Sequence, residues 1–234
     1  MTTPYYVSPE QLMKDRADFA RKGTARGRSV VVITYDGGIA LITENSSRAL
    51  HKISEIYDRI GFAAVGKYNE FESLRVAGIR YADLRGYSYD RTDVSARGLA
   101  NAYAQTLGAV FTTEAKPLEV EIAVAEVGAD QSSDQIYRLS YDGSVSDEGG
   151  FLVMGGAAAQ LRGVIAKDWK PGLDLPQALR LALSALEAGG EGEDPRRIEA
   201  DTLEAAVLDR RRPRRAFVRL SATDLADVLD RSDS

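Results

Sequence analysis

Few side chains in this sequence could carry chemistry. It contains no cysteine and one histidine, His51, which removes thiolate nucleophiles, disulfides, cysteine-rich zinc sites and multi-histidine metal sites together. His51 is the one candidate for a Ser-His pair, but in ALHKISEIYD it reads as a strand-edge or loop residue. The remaining chemistry must rest on carboxylates, lysine, arginine or hydroxyls, with no cofactor and no metal. Lys52, at the start of a strand, has the ordinary reading of a solvated lysine. Arg210, Arg211, Arg212, Arg214 and Arg215 crowd one turn around Pro213. Thirty basic against 35 acidic residues leave a net charge of −5, and no aromatics interleave the cluster. These arginines therefore read as a solvated turn or a protein contact, not a nucleic-acid patch.

The elements that must position these groups are legible from spacing. Ser8 can cap a helix over residues 8–22, Pro9 suits its first turn, and Gln11 completes an S-x-x-Q capping box. Arg21 and Lys22 suit its C-terminal end and Gly23 an αL stop. Leu12, Met13, Ala17, Phe19 and Ala20 form one wide apolar stripe, so the helix must lie on its own domain or on a neighbour. The home core is the commoner destination. Val30–Ile33 and Ile39–Ile42 then flank YDGG as a hairpin, its Asp36–Gly38 turn supplying φ > 0 positions, and so apolar a run is buried on both faces.

Further strands are expected over 52–56 and 60–65, helices over 69–84 and 95–113, and strands in LEVEIAVAEV, QIYRLSYDGSV and FLVMGG. Helices follow over 157–166 and 176–188, the second capped by Asp174, then strands in LEAAVLD and RAFVRL and a closing helix over 222–229. Blocks of paired strands alternating with blocks of paired helices exclude a Rossmann fold and a TIM barrel. They give an α+β fold, a four-layer αββα sandwich of two mainly antiparallel sheets. At 234 residues and 44% hydrophobic content one core suffices: residues 8–234 read as one domain, with its core over about 28–220 and a short helix and tail over 221–234. No stretch approaches a membrane span and no secretory leader is recognised, so a soluble, cytoplasmic protein is expected.

With that architecture, SPEQLMKDRADFARKGTARGRSVV, ENSSRALHKISEIYDRIGFAAVGKYNEF, ANAYAQTLGAVFT and LDRRRPRRAFVRL resemble the proteasome α subunits of actinobacteria, with YDGS and VMGG between them. Catalytic β subunits of that family expose a threonine as the first residue of the mature chain, its α-amino group serving as base and its hydroxyl as nucleophile. Here Arg28 and Ser29 stand at the first strand, while Glu44 and Lys52 fall near the supporting carboxylate and lysine. The resemblance implies a non-catalytic member. The rival is an amino-terminal nucleophile hydrolase, active through threonine or serine after propeptide removal at Gly23-Thr24; against it, Thr24 lies about four residues ahead of the strand and cleavage would discard a capped helix.

The resemblance further implies a seven-membered ring of identical subunits capping β-subunit rings, for intracellular, Pup-linked protein degradation. Residues 1–7 (Met1, Thr2, Thr3, Pro4, Tyr5, Tyr6 and Val7) would form the gate over an axial pore that admits unfolded protein substrates. The loop at about Phe111–Lys116 is the candidate pore rim. Lys52, with Gly66 beside it, would dock the C-terminal tails of a hexameric AAA ATPase. No nucleic acid and no membrane enter this picture.

Overall fold

The computed structural model describes residues 8–47, 49–189 and 196–230; the segment Met1–Val7, expected to form the gate, lies outside them. Helix α1 (Pro9–Ala25) precedes strands β1 (Val30–Tyr35), β2 (Gly38–Glu44), β3 (Ile53–Tyr57) and β4 (Ile60–Gly66). Helices α2 (Tyr68–Ser88) and α3 (Ala96–Thr113) follow, then β5 (Val120–Glu126), β6 (Gln135–Leu139), β7 (Val145–Asp147) and β8 (Phe151–Met154). The chain continues through α4 (Ala158–Asp168), α5 (Leu175–Ala188), β9 (Leu203–Asp209), β10 (Phe217–Leu220) and α6 (Ala222–Asp230).

Two antiparallel sheets, ordered β10-β9-β2-β1-β8 and β3-β4-β5-β6-β7, stack face to face. The alternation of side chains along a strand explains the layering. Val30 and Val32 point between the sheets, where they meet Ile39, Leu41, Ala63, Ala123 and Leu152. Val31 and Ile33 point the other way, into a second apolar layer under α4, α5 and α6. On the far side, Phe62, Ile122 and Val124 face α2 and α3. β1 and β2 are therefore buried on both faces, and each such Val or Ile contributes about 1.5–3 kcal/mol by leaving water. The four-layer αββα sandwich read from the sequence is the observed fold.

Three local expectations need correction. Gly23 does not stop α1, which runs on through Thr24 and Ala25 to an αR cap at Arg26. Gly23 is small because a Cβ there would stand 2.6 Å from the Glu119 side chain. In the capping box, Ser8 accepts from the Gln11 N–H at 3.2 Å, but the Gln11 amide donates to Asp15 at 2.6 Å instead of reaching back. In the β1–β2 turn only Gly38 has positive φ, at +148°, and a Cβ on it would meet the Leu208 carbonyl at 1.9 Å; close packing on β9 sets this glycine.

The apolar stripe of α1 is not taken up by the home core. Ala20 and Thr24 are buried, whereas Leu12, Met13 and Phe19 are 49%, 37% and 46% exposed. Arg16 fastens the helix, donating to the carbonyls of Val110 and Ala115, and Lys116 lies over the Phe19 ring. The loop that follows α3 is thereby tied to α1.

Candidate functional site

Antiparallel register brings distant residues to one end of the sandwich. Val30 pairs with Thr43 and Met154, Glu44 with Leu203, Ile53 with Ala63, and Gly66 with Val120. The start of β1, the end of β2, the start of β3 and the end of β4 therefore share a corner with the last turn of α1. Lys52, just ahead of β3, is half-buried there. Its Nζ donates to the Arg28 carbonyl at 3.1 Å, and its own carbonyl accepts the Ala64 N–H at 3.1 Å. Among the described residues its ammonium has no carboxylate within ion-pair distance. Burial pushes this amine down to about 8, the Glu204 charge works against that fall, and the Arg28 charge adds to it.

Glu44, the sequence-marked carboxylate, does not serve Lys52. It is held between Arg28 and Arg196, ion-paired to both. A groove of about 520 Å³ opens beside this cluster, lined by Arg26, Arg28, Ser29, Glu44, Gln160 and Arg196 among others. Gly66 lies at the same corner, with φ +109°; a Cβ there would approach the Glu119 carbonyl to 1.9 Å. A Cβ on Gly27 would stand 3.0 Å from the Gly66 nitrogen. Two glycines thus let the link between α1 and β1 lie directly on the end of β4.

Thr24 is remote from this chemistry in its bonding. It sits in the last turn of α1 and its hydroxyl donates to the Ala20 carbonyl at 3.0 Å. His51 lies with Nδ1 3.3 Å from Glu204 Oε1, the carboxylate that sequence reading missed. Glu204 is buried on β9, accepting from the Lys52 N–H at 3.0 Å and the Ile53 N–H at 3.1 Å. It also accepts from the Asn45 amide at 2.7 Å and Arg219 Nη1 at 2.8 Å. Burial works to raise its carboxyl, yet these donors together hold it below the usual carboxylate range. The available signal was an acid set in the apolar strand LEAAVLD.

The arginine cluster divides. Arg210 is largely buried and grips Asp134 with two 2.8 Å hydrogen bonds; it also donates to the carbonyls of Gly128 at 2.9 Å and Asp36 at 3.2 Å. This corrects the reading of the turn as wholly solvated or intermolecular. Arg211 and Arg215 pair with Asp209 and Glu55 at the surface. Among the described residues no group of acids or histidine is arranged to hold a metal ion, and no helix is long and apolar enough to cross a membrane.

Comparison with known proteins agrees with this architecture. The family model described as "Proteasome subunit" matches residues 24–207. A proteasome subunit alpha of Sanguibacter keddieii is 71% identical, over 98% of this chain and 90% of that protein. One from Kineococcus radiotolerans is 67% identical over 98% of each, and one from Xylanimonas cellulosilytica is 70% identical over 96% of this chain and 95% of its own length. The chain belongs to the proteasome subunit family, on its α-subunit branch.

Proposed function

We propose that the chain is the structural and gating subunit of a cytoplasmic proteasome core, without peptidase activity of its own, and that Lys52 docks a ring-shaped ATPase. The observation that carries this reading is the state of Lys52: a partly desolvated ammonium resting on a main-chain carbonyl, with no carboxylate paired to it among the described residues. A C-terminal carboxylate from a hexameric AAA ATPase supplies the missing anion, and a charge-assisted contact in a half-buried corner is stronger than one at an open surface. Gly66 lets the chain's own backbone at Gly27 and Glu119 pack on the end of β4 and so shapes the docking corner.

Chemistry supports the non-catalytic reading. An amino-terminal nucleophile needs a free amine and a hydroxyl on one residue. Lys52 addresses the carbonyl of Arg28, a residue without a hydroxyl, and Thr24 lies within a helix with its hydroxyl engaged.

Seven copies form a ring that covers the β-subunit chamber, and Met1–Val7 from each copy close its pore. The exposed Leu12, Met13 and Phe19 suit burial against the next copy. The last turn of α1 runs through Arg26 and Gly27 to Arg28, so a carboxylate that reorders the Lys52 corner acts on the helix that carries the gate, shifting closed toward open by differential binding. Unfolded chains, including Pup-linked substrates, then enter. The test is removal of Met1–Val7 in particles assembled with the β partner. Peptide hydrolysis should rise while intact mass shows the Arg28–Ser29 bond uncut; an unchanged rate contradicts the gate, and a chain beginning at Thr24 or Ser29 overturns the non-catalytic assignment.

A further inference from the structure

Lys52 is held by two handles: its ammonium on the Arg28 carbonyl and its main-chain N–H on Glu204. The Glu204 side chain is only 6% exposed, and its donors come from three separate stretches. Asn45 follows β2 and also donates from the same amide to the Leu50 carbonyl at 2.7 Å, Lys52 and Ile53 open β3, and Arg219 belongs to β10. Arg219 donates in addition to the Ile53 carbonyl at 2.7 Å. One carboxylate on β9 therefore holds both ends of the loop before Lys52, the first leaving β2 in its own sheet and the second opening β3 in the other.

We propose that Glu204 is the positioning residue of the Lys52 site: by accepting the main-chain N–H groups of Lys52 and Ile53 it fixes the lysine against β9, so that its ammonium is presented over the Arg28 carbonyl in this half-buried corner. Its consequence for activation rests on the docking role given to Lys52 above. The other charged groups facing the corner are Arg28 and Glu44 at the ends of β1 and β2, Arg196 on Glu44, His51 on the lysine's own segment and Arg219 from β10. Arg28 opposes the ammonium and Glu204 favours it, while the Glu44 charge is taken up by its two arginines. A carboxylate with a merely structural role would change stability when removed, but not the titration of Lys52.

The experiment follows Lys52 directly in assembled particles, by reductive methylation with an isotope label and NMR across pH, the signal being assigned by its loss in Lys52→Arg. Glu204→Gln should move the titration midpoint below that of wild type, and Arg28→Gln should move it up. A midpoint unchanged in Glu204→Gln would overturn the proposal, with Arg28→Gln as the control that the label reports the corner's charges. Should Glu204→Gln not assemble, Arg219→Gln, which leaves the Glu204 charge less neutralised, should move the midpoint up, and no movement there would overturn the proposal. ATPase stimulation of Glu204→Gln particles should fail at a lower pH than in wild type, and adding Lys52→Arg, whose guanidinium stays charged, should restore the alkaline limb. If the midpoint moves while stimulation ignores Lys52, the positioning role of Glu204 stands and the docking role falls.

Discussion

At one end of the sandwich Arg210 lies on Asp134 with both its side-chain forks occupied; at the other, Lys52 rests half-buried with only a carbonyl beneath it. The two ends are assembled from similar materials, strand termini and tight turns furnished with arginine, lysine and acids. At the Arg210 end, charges are consumed internally. Arg59 also donates to the carbonyls of Val127 and Gly128 there, so the turns after β5 and β9 are locked together. At the Lys52 end the acid bonded to the lysine's main chain, Glu204, spends its oxygens on main-chain N–H groups, on Asn45 and on Arg219. The difference separates a brace from a receptor: a buried cation already saturated with acceptors offers nothing to a partner, whereas a desolvated cation without its anion does.

Substitution at the two ends should separate them most sharply by stability. Arg210→Ala leaves Asp134, whose side chain is 1% exposed, as an uncompensated buried charge; the expected loss is about 3–5 kcal/mol, read by denaturant unfolding of the isolated subunit. Lys52→Ala, in the same measurement, should stay within about 1 kcal/mol of wild type, because no ion pair among the described residues is broken. Equal losses at both ends would erase the distinction.

Gly66→Ala should fall between them. The new Cβ meets the Glu119 carbonyl and the backbone is held at positive φ, so a loss of about 1–3 kcal/mol is expected in the same unfolding assay. The gentlest probe is pH. Docking needs the charged lysine, and burial brings Lys52 down to about 8. Stimulation by the ATPase is therefore full well below that value and declines as pH rises through about 8, on rate measurements corrected for the unstimulated particle; a flat profile from neutral to alkaline pH would count against an ammonium at the contact.

What the sequence disclosed was whatever a local pattern encodes. The Val30–Ile33 run, answered by Ile39–Ile42, announced a strand pair buried on both faces, and the alternation of strand and helix blocks announced the layers. Patterns that close only in three dimensions were hidden. Glu204 stands 152 residues from Lys52 in sequence, and nothing in LEAAVLD says which loop it will hold. Arg210 looked like one of five equivalent arginines until β6 brought Asp134 beneath it. Gly23 was recognised as a special position but for the wrong reason, since close approach by Glu119 selects it, whereas Gly38 takes the positive φ expected of the turn and is fixed further by close packing on Leu208. Lys52 was singled out through family resemblance; its missing carboxylate was visible only in the fold.

The most direct test is the ATPase-stimulated peptidase rate of assembled particles carrying Lys52→Ala beside wild type, with activator tails ending in a free carboxylate or in an amide. Stimulation should be lost in the variant with either tail, and lost in wild type when the tail is amidated, while particles still assemble. Wild-type stimulation of the Lys52→Ala particle by the free-carboxylate tail would contradict the account.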